Sequence, residues 1–168
     1  RKLCQRDIDA NGLKIKIQAT TDRRKALRNA RYIFSMVRVG GLEAFKPRVE
    51  IPLKYGVDQC VGDTLCPGGI FYGQMGIAAV LDFCRDMREV SEENCLFMNY
   101  ANPNAMITWA ANKHGGVRTL GLCHGVDAGR LLIAKALKAD QNDVDIVCAG
   151  INHQTWYVEV RNKGVLVR

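Results

Sequence analysis

No window of the chain approaches 18 consecutive apolar residues, so no segment reads as a membrane-spanning helix. No apolar signal core follows Arg1-Lys-Leu-Cys. There is no Cys-x-x-Cys pair, and the seven cysteines (4, 60, 66, 84, 95, 123 and 148) are an odd number without framework spacing. That excludes a disulfide scaffold and fits reduced, cytoplasmic usage. The Gly-x-Gly-x-x-Gly, Gly-x-Ser-x-Gly and His-Glu-x-x-His motifs are also missing, and Gly68-Gly69-Ile-Phe-Tyr-Gly73 is not a dinucleotide loop. Neither nucleotide binding, a serine hydrolase nor a zinc protease can therefore be read from a motif. There is no initiating Met, and Val165-Leu-Val-Arg168 stops inside a strand pattern, so a piece of a longer protein is expected.

What is present is 168 residues, 48% hydrophobic and 24% charged, the profile of one globular domain with a sizeable core. The net charge of +7 is uneven: residues 1–54 hold 14 Lys/Arg against 5 Asp/Glu, the remainder 10 against 12. Apart from Arg23-Arg-Lys25 these cations are scattered singly, with few aromatics among them. This reads as a solvated face, not a nucleic-acid surface.

Strand and helix patterns alternate. Leu3 to Ala10 reads as the end of a helix stopped at Asn11-Gly12. Lys14 to Ala19 alternates as a strand with one wet face, and Thr20-Thr-Asp22 caps a short helix through Leu27. Tyr32 to Val37 is a near-continuous apolar run, predicting a strand buried on both faces, followed by the turn Arg38-Val-Gly-Gly41. An irregular stretch with Pro47 and Pro52 leads through Gly62–Gly69 to an amphipathic helix of about 70–90. Strands are expected at 95–98, 117–122 and 144–148, helices after Pro103 and over about 126–138, and a hairpin from Thr155 turning at Asn162-Lys-Gly164. The class is α/β: a Rossmann-like parallel sheet with crossover helices. The division expected is a nucleotide-binding unit over 1–153 and the start of a second unit over 154–168.

The strand ends matter most. Arg38–Gly41, Asn99–Asn104, Cys123–Gly125 and Asn152–His153 each follow a predicted strand, and ligands of open α/β sheets bind along that edge. Cys123 with His124 or His153 suits a divalent metal, a Cys–His nucleophilic pair, or only a buried thiol beside hydrogen-bonded imidazoles. Asn102 before Pro103 suits a helix cap as well as a ligand contact, Asp63-Thr64 suits turn chemistry, and His114 a surface helix end.

Taken in order, Ala19-Thr-Thr-Asp-Arg23, Arg38-Val-Gly-Gly41, Ile51-Pro-Leu-Lys-Tyr-Gly56, Gly62-Asp-Thr64, Pro67-Gly-Gly69, Asn99-Tyr-Ala-Asn-Pro103, Gly121-Leu-Cys-His124 and Ala149-Gly-Ile-Asn-His153 resemble family 4 of the glycoside hydrolases. These are NAD- and manganese-dependent glycosidases that include α-galactosidases and α-glucosidases. The resemblance runs from about Leu13 to Val160 and implies a Rossmann-like domain lacking its first βα unit, ending in a hairpin that begins the catalytic domain. It implies hydride abstraction from C3 of the sugar by NAD+, loss of the C2 proton and elimination, with a divalent metal at the C3 oxygen, outside the two-carboxylate scheme.

By position the resemblance implies Cys123 and His153 as metal ligands and Asn102 as substrate- and cofactor-binding. It implies Arg38 and Gly40 as cofactor-binding, Asp63 as tuning the catalytic base, and His124 as a catalytic and substrate-contacting residue. His124 and Phe45 stand where phospho-sugar members carry a carboxylate and an Arg, which points to an unphosphorylated α-hexoside, α-galactoside first, with glucoside and uronide open. The Gly-rich loop, ribose-binding acid and Tyr base lie outside this chain in the family pattern, so these 168 residues alone are expected to be inactive. A homo-oligomer is expected of the full-length chain, with no nucleic acid or membrane partner. A lactate/malate-type dehydrogenase and a non-catalytic sugar-binding homologue are the alternatives.

Overall fold

The computed structural model describes residues 1–59 and 61–167; the Cys60 of the cysteine reading lies outside them. Helix α1 (Lys2–Ala10) ends at Asn11 with Gly12 left-handed, as its cap residues require. Lys14 to Ala19 is not a strand. Among the described residues no ladder joins them to a neighbouring strand, and alternation makes a strand only where a neighbouring backbone takes its hydrogen bonds. Asp22 caps α2 (Arg23–Leu27) by accepting the Lys25 N–H at 3.0 Å.

Strands β1 (Tyr32–Ser35), β2 (Leu96–Asn99) and β3 (Arg118–Gly121) form a parallel sheet in that order. Ser35, Asn99 and Gly121 stand opposite one another, so all three strands finish in one row. The loops leaving them are pinned there: Tyr100 N–H donates to Ser35 O at 2.9 Å and Leu122 N–H to Asn99 O at 2.8 Å. One face carries the core, where α4 (Pro67–Val90) sets Val80, Cys84 and Met87 against Phe97, Ile107, Ala111 and Val117. Burial pushes the Cys84 thiol up to about 11, so it is an inert packing group. Contrary to the apolar-run reading, β1 is not buried on both faces: Tyr32 is 62% and Phe34 52% exposed, because helices cover only the α4 side of this strand.

The stretch with two prolines is also not irregular. It is helix α3 (Gly41–Lys54), with Pro47 and Pro52 inside it. Pro52 has no N–H for the Arg48 carbonyl one turn back, and the Gln59 side-chain amide donates to that oxygen instead, at 2.7 Å. The same amide group accepts the Gly68 N–H at the start of α4 (3.3 Å). Gly40, left-handed at φ 80°, opens α3; a Cβ there would stand 2.5 Å from that of Ala44.

Helix α5 (Asn104–Ala110) runs into a π turn (Ala111–Gly115), and α6 (Gly125–Leu137) follows β3. The 144–148 segment is a strand, but it does not extend the parallel sheet. As β4 (Val144–Ile151) it turns over Asn152-His153 into β5 (Gln154–Asn162), which pairs with β6 (Val165–Leu166). A two-residue connection can only join antiparallel neighbours, so β4 takes the strand that follows it.

Two of the N-terminal cations, Arg23 and Arg24, are paired with α4. Arg23 and Arg24 both bond Asp86, which is 5% exposed, and reach Asp82 and Glu89 as well. Burial alone would raise the Asp86 carboxyl, but the hydrogen bonds and charges of Arg23 and Arg24 outweigh it and hold the group below its ordinary value. Such a group stabilises the fold above the ordinary carboxylate pKa of about 3.9, and the contribution is lost as pH falls through the lower folded value. Thermal melts should therefore show Asp86→Ala several degrees below wild type at pH 7, Asp82→Ala much less affected, and the Asp86→Ala deficit shrinking below pH 3.

Candidate active site

Three strand ends and two turns meet at one edge of the molecule. From the loop before α4, Asp63, 17% exposed at its side chain, accepts hydrogen bonds on both oxygens. Arg38 Nη2, beyond β1, reaches Oδ2 at 3.4 Å and Asn102 Nδ2, beyond β2, at 3.2 Å. Thr64 Oγ1 donates to Oδ1 at 3.0 Å. The Arg38 guanidinium lies over the rings of Phe45 (5.1 Å) and Tyr72 (5.0 Å), so the apolar Phe45 serves as its platform. Burial raises the Tyr72 phenol against the pull of Arg38 and Arg48, and Tyr72 stays neutral at physiological pH. Gly40 makes the turn between Arg38 and α3.

The loop carrying Asn102 is held from below by two amides that the sequence reading did not single out. Asn99 bonds Ala101 through both amide atoms, its Oδ1 accepting the Ala101 N–H at 3.1 Å. Asn104 Nδ2 donates to the carbonyls of Asn99 (3.0 Å) and Leu122 (3.1 Å), tying the loops after β2 and β3 together. Their position inside the Asn-Tyr-Ala-Asn-Pro-Asn run was the available signal, since buried amides in a turn must find backbone partners.

Beyond β3, Cys123 and His124 point to different neighbours. Cys123 Sγ accepts the Gly125 N–H at 3.4 Å and lines a cavity of about 480 Å3 with Asn152, His153 and Tyr157. His124 Nδ1 meets the Tyr100 hydroxyl at 3.0 Å, and the Tyr100 ring stacks on Phe34 at 5.7 Å. Of the expected set, Cys123 and His153 thus share one cavity, Arg38, Asp63 and Asn102 form one network, and His124 stands apart. His114 lies far along the π turn, in a separate apolar groove with Trp109. Among the described residues no three His, Cys, Asp or Glu side chains cluster for a metal, and every cysteine is free.

The residue that joins the two groups is Thr64. Its oxygen lies 3.1 Å from His153 Nδ1 while its single proton goes to Asp63. With the hydroxyl proton on Asp63, the oxygen is an acceptor for the imidazole, an arrangement that in the neutral ring puts the proton on Nδ1 and the lone pair on Nε2. His153 is itself held at φ 66°, left-handed, in the β4–β5 turn. Asn152 Oδ1 is buried beside it without a partner.

Replacing Thr64 with Val removes the acceptor at similar size. Long-range 1H–15N correlation spectra should show His153 as the Nδ1–H tautomer in wild type and a tautomer mixture in Thr64→Val, with the fold retained.

Residues 1–139 match the model of the family 4 glycosyl hydrolases. The chain is 58% identical over 164 residues to the alpha-galactosidase of Rhizobium meliloti, covering 98% of this chain and 34% of that protein. It is 34% identical over 165 residues to the 6-phospho-beta-glucosidase of Escherichia coli, covering 96% and 36%. It superposes with a TM-score of 0.85 on the 6-phospho-beta glucosidase of Thermotoga maritima with manganese, NAD+ and glucose-6-phosphate, at 25% identity, covering 98% of this chain and 39% of that one. The chain thus spans about a third of the length of the relatives it matches. With the strand-end geometry and the family match extending over most of its residues, the chain belongs to family 4 of the glycosyl hydrolases.

Proposed function

We propose that the protein containing this chain hydrolyses α-glycosides of unphosphorylated hexoses, α-galactosides first, with NAD+ and Mn2+, through chemistry at C3 and C2 of the sugar. The observation that carries the metal part is that Cys123 and His153 line one cavity, with His153 Nδ1 held 3.1 Å from the Thr64 hydroxyl. A metal-ligating histidine has this form, its second nitrogen bonded to an orienting acceptor. Cys123 and His153 would hold the ion, and the unpartnered Asn152 oxygen adds a hard acceptor on the same cavity. Arg38, Gly40 and Asn102 occupy the sheet edge across which doubly wound folds bind dinucleotides. NAD+ and Mn2+, when bound, supply reversible hydride acceptance and polarisation of a sugar oxygen.

The remaining roles belong to this chain's own side chains. Asn102 gives its Nδ2 to Asp63, which leaves the amide oxygen to accept from a sugar hydroxyl. Arg38 and Thr64 keep Asp63 from turning away. His124, tied at Nδ1, keeps Nε2 free to exchange a proton with the substrate or leaving group. The choice of an unphosphorylated sugar rests on the 58% identity to an alpha-galactosidase and on Phe45, whose ring supports Arg38 and offers no charge to a phosphate. Cys123 must be reduced to serve, so a cytoplasmic setting fits. Residues 1–153 act as the nucleotide-binding unit and the strand from 154 leads toward the sugar-binding one. Oligomerisation of the full-length protein is part of the same proposal.

The test is p-nitrophenyl α-galactoside hydrolysis by the full-length protein, omitting NAD+, Mn2+ or reductant singly, with D2O as solvent. Expected are loss of activity on each omission, deuterium at C2 of the product, and a loss of more than about 100-fold in Cys123→Ala or His153→Ala. Net NADH formation with a hydroxy acid and no metal requirement would return the dehydrogenase reading. Sugar binding without turnover would return the binding homologue.

A further inference from the structure

We propose that Tyr157, seated in a slot that only Gly129 leaves open on α6, is the positioning residue that sets the separation of Cys123 and His153. The inference rests on the metal reading above. Tyr157 stands on β5 opposite Cys148, beside the register shift between Val147 and Cys148, and lines the same cavity as the two candidate ligands. Its hydroxyl donates to Val126 O at 3.2 Å, with Gly125 O as a second acceptor at 3.4 Å. Gly125 therefore has two roles: its carbonyl receives Tyr157, and its N–H donates to Cys123 Sγ.

On the other side, Tyr157 lies four residues beyond His153 on the same hairpin. Among the described residues it makes the side-chain hydrogen bonds between α6 and the β4–β5 hairpin, beside the packing of α6 on β4. The fit depends on a missing side chain. A Cβ on Gly129 would lie 1.6 Å from the Tyr157 oxygen and 2.4 Å from the ring carbon that bears it. Gly is a poor residue for the interior of a helix, and here the space it leaves is filled by the phenol. The thiol sits on the loop just before α6, bonded to the helix's first N–H, and the imidazole on the hairpin turn, so this strut sets how far apart they stand. Thr64 sets the ring's tautomer independently.

The experiment uses the full-length protein, Mn2+ titration, and Co2+ as a spectroscopic stand-in whose sulfur-to-cobalt charge-transfer band reports the Cys123 thiolate. Tyr157→Phe keeps the ring and removes the hydroxyl; Gly129→Ala expels the ring. Expected are Mn2+ Kd values about tenfold higher in Tyr157→Phe and up to about 100-fold higher in Gly129→Ala, with the cobalt band shifted in both. Because both act through one slot, Gly129→Ala should add little on top of Tyr157→Ala. An unchanged Mn2+ Kd and cobalt band in Tyr157→Phe, which has no reason to misfold, would overturn the inference while Cys123→Ala still abolishes the band. A band and affinity that survive Cys123→Ala would overturn the metal reading itself.

Discussion

Asp63 accepts hydrogen bonds from three side chains at once: Arg38 beyond β1, Asn102 beyond β2, and Thr64 beside it on the loop into α4. No single strand end could hold a substrate or an ion in a fixed position. One carboxylate ties the loops after β1 and β2 together, and Thr64 links them to His153 in the turn of the second sheet. A carboxylate suits this because it is an acceptor only, with room for several donors on two oxygens.

The supports under this network come from groups whose partners would otherwise be missing. Pro52 deprives Arg48 of its helical acceptor bond, Gln59 fills the gap, and the same amide steadies the start of α4 just past Asp63. Arg48 in turn lies over Tyr72 at 4.6 Å and bonds the Val39 carbonyl, which holds the Arg38 turn against α4. Burying a guanidinium without a carboxylate is costly, and the ring face, the carbonyl and the Met75 sulfur offset part of it here, with Nη1 left without a partner among the described residues.

Periodicity made α4 and the short strands legible, because a helix that buries Val80, Cys84 and Met87 must repeat at three and four residues. The strand-end rule brought Arg38, Asn102 and Cys123 to one edge before any coordinates. What pattern could not carry was pairing and compensation. Lys14 to Ala19 alternates like a strand but pairs with no strand among the described residues, and β4 reads as one more parallel strand until the two-residue turn assigns it to β5. The prolines of α3 look like breakers because Gln59, which answers one of them, is seven residues away from Pro52. Thr64 read only as turn chemistry beside Asp63, and Gly129 gave no signal, because one matters for the His153 ring it meets and the other for a side chain it does not have. The roles of Cys123, His153 and His124 came from family resemblance, since spacing alone left them open.

A thiolate is a soft partner for an ion such as Mn2+ that ordinarily favours oxygen, which makes the Cys123–His153 pair the most exposed part of the account. X-ray absorption at the manganese edge of the loaded full-length protein tests it directly. A site built on Cys123 and His153 gives one sulfur and one imidazole nitrogen bound to the manganese, the sulfur lost in Cys123→Ala. An all-oxygen shell, unchanged by that substitution, would contradict it.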